Sequence, residues 1–189
     1  MVLRESETEL EAGDRAPSFE LEGVGGETYS LESFADDEAL LVVFTCNHCP
    51  YAEAKFDLLN ELAADYDDVS VVGINPNDEV EYPEDSFEKM REYVEDGSIA
   101  YDAYLRDDTQ AVAAAYGAEC TPDPFLFDNV DGDGEFRLVY QGRLDDAPNP
   151  DDEPTRFHIR EAIDAVLAGE DVDLEWVPSR GCSIKWTDA

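Results

Sequence analysis

The sequence predicts an α/β domain with a central mixed sheet flanked by helices, and three observations carry that expectation. Residues 40–45 and 69–74 are short, near-continuous apolar runs, the pattern of strands buried on both faces. Between them Tyr51, Ala54, Leu58, Leu62 and Tyr66 repeat at helical spacing. The alternation of strand and helix lasts to residue 117. Two neighbouring strands and a final helix follow, which adds antiparallel pairing to a parallel core.

Taken in order, residues 1–12 read as a flexible polar lead-in, with Glu5, Glu7, Glu9 and Glu11 and no apolar block of a secretory signal. From Gly13 the alternation of Phe19 and Leu21 marks an N-terminal strand extension, Gly25-Gly26 a turn and 28–34 a short return. After the buried strand at 40–45, Pro50 suits a first helical turn, where its missing N–H has no partner to lose. The second buried strand stops at Asn75-Pro76-Asn77. A helix begins near Pro83, with Phe87, Met90 and Val94 on one face and an end near Gly97. Residues 101–105 read as a short strand and 108–116 as an alanine-rich helix stopped by Gly117. Strands at 125–127 and 136–141 flank a loop at 129–134. Its Asn129-x-Asp131-x-Asp133-Gly134 brushes a calcium-loop pattern, but Tyr140 stands where the closing glutamate belongs, so it reads as a hairpin turn. The last helix, 155–168, turns Ile159, Ile163, Val166 and Leu167 inward. One domain thus spans 13–170, and 171–189 is a C-terminal tail carrying Cys182.

With 189 residues the chain is long enough to bury a sizeable core. No stretch approaches the roughly 18 apolar residues of a membrane span. The 48 acidic residues against 12 basic ones give a net charge of −36. No acidic run exceeds Asp36-Asp37-Glu38 or Asp151-Asp152-Glu153, so the charge belongs to the whole surface and not to an interaction tail. Such a surface reads as an adaptation to a salt-filled cytoplasm, as in haloarchaea. It makes nucleic acid and anionic membranes poor partners. In a cytoplasmic protein, Cys46, Cys49, Cys120 and Cys182 argue for redox or metal chemistry more than for stapling.

The chemistry concentrates in Thr45-Cys46-Asn47-His48-Cys49-Pro50. A buried strand that delivers two thiols, three positions apart, to a helix start is the layout of a thiol–disulfide site. Free N–H groups and the helix dipole favour a thiolate there. On this reading Cys46 is the exposed nucleophile and Cys49 resolves the mixed disulfide. His48, when protonated, favours the thiolate further, or else it is a plain solvent-facing linker. The rival reading is zinc, with Cys120, Cys182 or His48 completing the ligands. No second Cys-x-x-Cys or histidine pair stands in the sequence. No nucleotide or organic-cofactor fingerprint is visible, so the expected redox groups are the cysteines alone.

Buried strand, Cys-x-x-Cys, helix, and later Thr121-Pro122 before a strand together resemble the thioredoxin-like superfamily. The entry Gly13-Asp14-Arg15-Ala16-Pro17-Ser18-Phe19 resembles its redoxin branch, which includes peroxiredoxins of the alkyl hydroperoxide reductase and thiol-specific antioxidant type. A fuller set resembles a peroxiredoxin-like group within it: residues 44–50, Tyr82-Pro83-Glu84-Asp85-Ser86, Cys120-Thr121-Pro122-Asp123, residues 142–146 and residues 181–186. The resemblance covers roughly residues 13–187 and implies a thioredoxin-like fold. It also implies a cis-proline at Pro122, with Pro124 the competing candidate, whose backbone engages a substrate thiol. Arg143 is the candidate for a peroxide-orienting arginine. Cys120, two residues before Pro122, either passes electrons onward or is an inert core thiol, and a tail folding back would let Cys182 pair with it as a second dithiol.

The departures separate the activities. Thr45 replaces the tryptophan of thioredoxins, and residues 40–44 lack their buried acid. The peroxiredoxin Pro-x-x-x-Thr/Ser-x-x-Cys requires Ala39 and Val43 to be proline and hydroxyl residue before Cys46, or Val42 and Cys46 before Cys49. The expected activity is therefore a cytosolic thiol–disulfide oxidoreductase acting on protein or small-molecule thiols and disulfides and served by an unidentified electron donor. The alternatives are a thiol peroxidase taking peroxides, or a zinc-binding or redox-sensing module without turnover.

At about 1 M salt the Debye length is roughly 3 Å, which screens surface self-repulsion. The melting temperature, followed by circular dichroism, is expected to climb steadily between about 0.1 M and about 3 M potassium chloride. A melting temperature indifferent to salt contradicts the reading of the charge.

Overall fold

The apolar run Ala39–Phe44 lies in the middle of the molecule, every residue of it buried. The computed structural model describes residues 2–129 and 131–187. In chain order its strands are β1 (Leu3–Glu5), β2 (Glu20–Gly23), β3 (Thr28–Ser30), β4 (Ala39–Phe44), β5 (Val69–Asn75), β6 (Ala103–Arg106), β7 (Cys120–Thr121), β8 (Asp123–Asp128), β9 (Arg137–Gln141) and β10 (Arg180–Ser183). The helices are α1 (Pro50–Glu53), α2 (Phe56–Asp65), α3 (Phe87–Glu95), α4 (Ala111–Tyr116) and α5 (His158–Leu167).

Seven strands form a mixed sheet in the order β3-β2-β6-β5-β4-β8-β9. β4 pairs parallel with β5, and β5 with β6, while β8 runs antiparallel to β4 and β9 antiparallel to β8. This is the part-parallel, part-antiparallel sheet the sequence predicts. Because side chains alternate along a strand, β4 feeds two cores. Leu40, Val42 and Phe44 pack with Val72, Ile74, Phe125, Phe127 and Tyr116 on one face. Leu41 and Val43 meet Leu59, Leu62, Ile159 and Ile163 of α2 and α5 on the other.

Two helices differ from the sequence expectation. The helix expected from Pro50 to Tyr66 is broken into α1 and α2. At the break the Lys55 N–H bonds the Ala52 carbonyl three residues back, tightening the turn. The Lys55 ammonium meanwhile reaches the buried Asp145 carboxylate at 2.7 Å. The helix expected from Pro83 begins instead at Phe87, capped by Ser86 Oγ accepting the Lys89 N–H at 3.2 Å. Pro83–Asp85 is a 3-10 turn that leads into it.

The lead-in and the tail meet each other. β1, within the segment expected to be a flexible lead-in, pairs antiparallel with β10 of the tail, Leu3 facing Cys182 and Glu5 facing Arg180. β10 pairs in turn with β7, giving a small sheet β1-β10-β7. Neither β1 nor β10 has an apolar pattern of its own. Each becomes a strand because a distant partner satisfies its backbone.

Leu41 is fully buried at the centre of this arrangement. Leu41→Ala is expected to cost about 2–5 kcal/mol, read as a lower denaturant midpoint at unchanged slope. A loss under about 1 kcal/mol contradicts its packing between β4, α2 and α5.

Candidate functional site

β4, β5 and β6 run parallel, so their carboxyl ends reach the same edge of the sheet, where open α/β sheets gather functional loops. From β4 come Thr45, Cys46, Asn47, His48 and Cys49; from β5 come Asn75, Asn77 and the turn holding Asp85; from β6 come Arg106 and Asp107. Across β4, the Thr121–Pro122 peptide is cis, as the resemblance implies, and Pro124 is not.

The cysteines are arranged differently from the sequence expectation. Cys49 is bonded to Cys182, with Cα atoms 6.4 Å apart, and Cys46 and Cys120 are free buried thiols. Cys182 therefore partners Cys49 and not Cys120. The cause is the strand register: β10 places Cys182 opposite Thr121 and turns Ser183 toward the Cys120 position. Cys120 Sγ faces the carbonyls of Pro122 and Ser179, each at 3.7 Å, and burial pushes its thiol far up.

Cys46 is wholly buried rather than exposed. Its Sγ lies 3.4 Å from Thr121 Oγ1. Burial first, and then the negative charge of Asp85, push this thiol up to about 12. The Thr121 hydroxyl and the N–H groups of Cys49 and His48 pull the other way and do not prevail. The expected helix-start stabilisation of a thiolate is thus present and outweighed. Cys49 Sγ approaches the Thr121 carbonyl at 3.7 Å.

Asp85 is the residue that sequence reasoning missed. The strand before the cysteines carries no acid, but this carboxylate, with no exposed surface, arrives from the loop beyond β5. It accepts the Asn47 N–H at 2.7 Å and the Asn77 amide at 2.8 Å, and pairs with His48 Nδ1 at 2.5 Å. The last contact is an ion pair when His48 is protonated. Burial alone would raise the Asp85 carboxyl, yet His48, Asn77 and the Asn47 N–H together hold it below the usual range. The carboxylate in turn raises His48, against the opposing pull of partial burial. The one signal for Asp85 was the 82–86 segment of the resemblance, which does not say where the acid points. Asp123 was missed likewise. It is buried directly after the cis-proline, accepts the Gln141 amide at 2.8 Å, and is pushed up to about 7 by burial.

The remaining expected residues divide. Thr121 touches Cys46, and His48 borders the disulfide. Thr45 is buried, its N–H donated to the Ile74 carbonyl at 2.9 Å. Arg143 lies in a separate cleft with Lys55, Pro122 and Asp145, so the structure does not bring it to the Cys46 thiol. The cavity that reaches the disulfide, about 370 Å³, is lined by His48, Cys49, Tyr82, Asn77, Cys182 and Lys185 and does not include Cys46. Cys46, His48 and Asp85 offer sulfur, nitrogen and oxygen atoms within 4.8 Å of one another, a set able to hold a metal ion. An ion there would have to part the His48–Asp85 pair.

The pair has a pH signature. A raised His48 contributes stability that is full below its ordinary value of about 6.5 and is lost as pH rises through its raised value. A lowered Asp85 contributes stability that is full above about 3.9 and is lost as pH falls through its lowered value. Both are complete between those two pH values. By NMR the His48 imidazole is expected to titrate above the ordinary histidine range and to drop back in Asp85→Asn. Equal titration in both proteins would remove the ion pair from the account.

A hypothetical protein from Sinorhizobium meliloti 1021 is similar in crystal structure, with 41% identity and a TM-score of 0.89 over 98% of this chain and 99% of that one. An uncharacterized conserved protein from Geobacillus kaustophilus is 40% identical, with a TM-score of 0.90 over 100% of this chain and 98% of that one. The thioredoxin domain of a thiol-disulfide oxidoreductase from Bacteroides vulgatus is 19% identical, with a TM-score of 0.55 over 70% of this chain and 91% of that one; it speaks for the fold alone. No curated protein matches the chain. The fold is thioredoxin-like, as the sequence resemblance implies. The AhpC/TSA family matches residues 12–132, with the Cys-x-x-Cys segment inside the match, and the chain belongs to that family of redox proteins.

Proposed function

We propose that this protein is a thiol–disulfide oxidoreductase working through Cys46 and Cys49. The observation that carries the reading is the convergence of both cysteines on Thr121, the residue before the cis-proline. The cavity favours Cys49 as the sulfur that meets an external partner and Cys46 as the buried resolving thiol, the reverse of the sequence expectation. In the reduced protein, Cys49 thiolate attacks a substrate disulfide and one substrate thiolate leaves. Cys46 then attacks Cys49 Sγ, the second substrate thiolate leaves, and a Cys46–Cys49 disulfide remains. Two electrons pass to the substrate, and a dithiol donor returns them. Its partners on this reading are thiols and disulfides in a salt-rich cytoplasm. A net charge of −36 disfavours nucleic acid and anionic membranes, and no helix among the described residues is long and apolar enough to cross a membrane.

AhpC/TSA membership favours a second reading, a thiol peroxidase in which peroxide oxidises Cys49 to a sulfenic acid that a neighbouring thiol condenses with. One set of assays in high salt separates these. Cys49→Ser is expected to lose at least about 100-fold in reduction of an insulin disulfide, and Cys46→Ser in a Cys182→Ser background about tenfold while accumulating a mixed disulfide. Wild-type turnover by that double variant would overturn the resolving role. Rapid peroxide loss dependent on Cys49 would promote the peroxidase. Stoichiometric zinc without turnover would replace both with a binding module.

A further inference from the structure

Three cysteines meet at one residue. Cys46 Sγ lies 3.4 Å from Thr121 Oγ1, Cys49 Sγ 3.7 Å from the Thr121 carbonyl, and Cys182 is the strand partner of Thr121. Cys49 holds a disulfide to Cys182, while Cys46 is free. A free thiol therefore stands beside a disulfide, within one small apolar cluster that contains all three residues.

β10 occupies the position an incoming peptide would take. It adds antiparallel to β7, with Cys182 opposite Thr121 and Ser183 opposite Cys120, the mode by which extended chains dock on sheet edges. The approach is close: a Cβ on Gly181 would collide with the Thr121 carbonyl, so only glycine fits. Past the strand the tail is tied down. The Lys185 carbonyl accepts the Asp78 N–H and the Gln110 amide, both at 2.8 Å, and the Lys185 N–H reaches Asn77 Oδ1 at 2.9 Å. Gln110 makes its bond from a left-handed backbone at φ 64°, a conformation that persists only where the surroundings fix it.

We propose that Cys182 is a third redox-active cysteine: β10 lies in the site as a tethered substrate strand, and Cys49 exchanges its disulfide partner between Cys182 and Cys46. The proposal deepens the thiol–disulfide reading above and rests on it. The exchange is an isomerisation. Cys46 gives up its proton and its thiolate attacks Cys49 Sγ. The Cys46–Cys49 bond forms as the Cys49–Cys182 bond breaks, and Cys182 leaves as a thiolate and takes up a proton. One disulfide and one thiol stand on each side, so no outside oxidant or reductant enters. In the exchanged form the free thiol facing the cavity is Cys182, because the cavity touches Cys49 and Cys182 and not Cys46.

The test is alkylation of the oxidised full-length protein with iodoacetamide under native, high-salt conditions, followed by an acid stop and peptide mapping. Label is expected on Cys182 together with a Cys46–Cys49 bond, exceeding label on Cys46 by about tenfold or more, because alkylation follows thiolate access. Cys46→Ser is expected to keep Cys49–Cys182 intact and Cys182 unlabelled, and Cys182→Ser to form Cys46–Cys49. Gly181→Ala, which keeps every cysteine while forcing β10 off β7, is expected to raise the Cys182 label, with near-ultraviolet circular dichroism reporting that the fold survives. Label on Cys46 beside an intact Cys49–Cys182 bond, or no label on either, overturns the exchange. Because the mapping uses no external disulfide, it reads apart from turnover. Wild-type insulin reduction with label on Cys46 sinks the exchange alone. Label on Cys182 without turnover upholds the exchange and removes the oxidoreductase reading.

Discussion

The site depends on one buried charge. The Asp85 carboxylate, fully enclosed, ties the loop after β4 to the loop after β5 by accepting the Asn47 N–H and the Asn77 amide. A carboxylate in such a place is costly unless hydrogen-bonded and paired, and His48 supplies the pair. The network extends outward: Tyr104 donates its hydroxyl proton to Asn47 Oδ1 at 2.7 Å, and Arg106 binds the carbonyls of Asn75, Asp85 and Asn77. Asn47 and His48 are the two residues between the cysteines. Fixing both fixes the geometry of Cys46 and Cys49, so a polar knot outside the Cys-x-x-Cys motif decides how that motif is presented.

The same carboxylate works against Cys46 as a nucleophile. It faces a thiol that is already desolvated, and the two effects together keep that thiol protonated at neutral pH. His48, whose positive charge could have favoured a thiolate, is already engaged by Asp85. A thiol held in this way suits late, intramolecular attack, where proximity compensates for a small thiolate fraction. On the proposed thiol–disulfide reading, encounter with a partner in solution falls to the sulfurs that border the cavity, Cys49 and Cys182.

Much of this was legible in the sequence, for physical reasons that name themselves. Residues 40–45 and 69–74 could be little but buried strands, since apolar runs of that length leave no polar face. The strand-to-helix setting of Cys46 and Cys49 followed from their neighbours, and Pro122 from its place before an apolar strand. What stayed hidden depends on contacts distant in the chain. β1 and β10 carry no strand pattern and exist through each other and through β7. Asp85 sits on a polar turn among many acids, and among the 48 acidic residues nothing local marks it as the buried one. The Cys49–Cys182 pair spans 133 positions, and only the register of a strand that the sequence did not announce brings it together.

That register also sets how the proposed thiol and disulfide partners would meet the protein's own field. A thiolate approaching a molecule of net charge −36 is repelled at long range, and dissolved salt weakens the repulsion beyond a few ångströms. Contact-range groups are screened far less. At the mouth of the cavity stand Lys185, held by the Ser183 carbonyl and hydroxyl at 2.7 and 3.0 Å and lying over the Tyr82 ring, and His48, stacked on that same ring from 5.8 Å. Both are delivered by segments already committed to the sulfurs, His48 from between the cysteines and Lys185 from three residues past Cys182. Lys185 remains available to an anion because its partners are neutral oxygens, whereas the charge of His48 is spent on Asp85. The tail segment that carries the third sulfur therefore also carries, just past β10, the cation that offsets, at contact range, the repulsion of everything else on the surface.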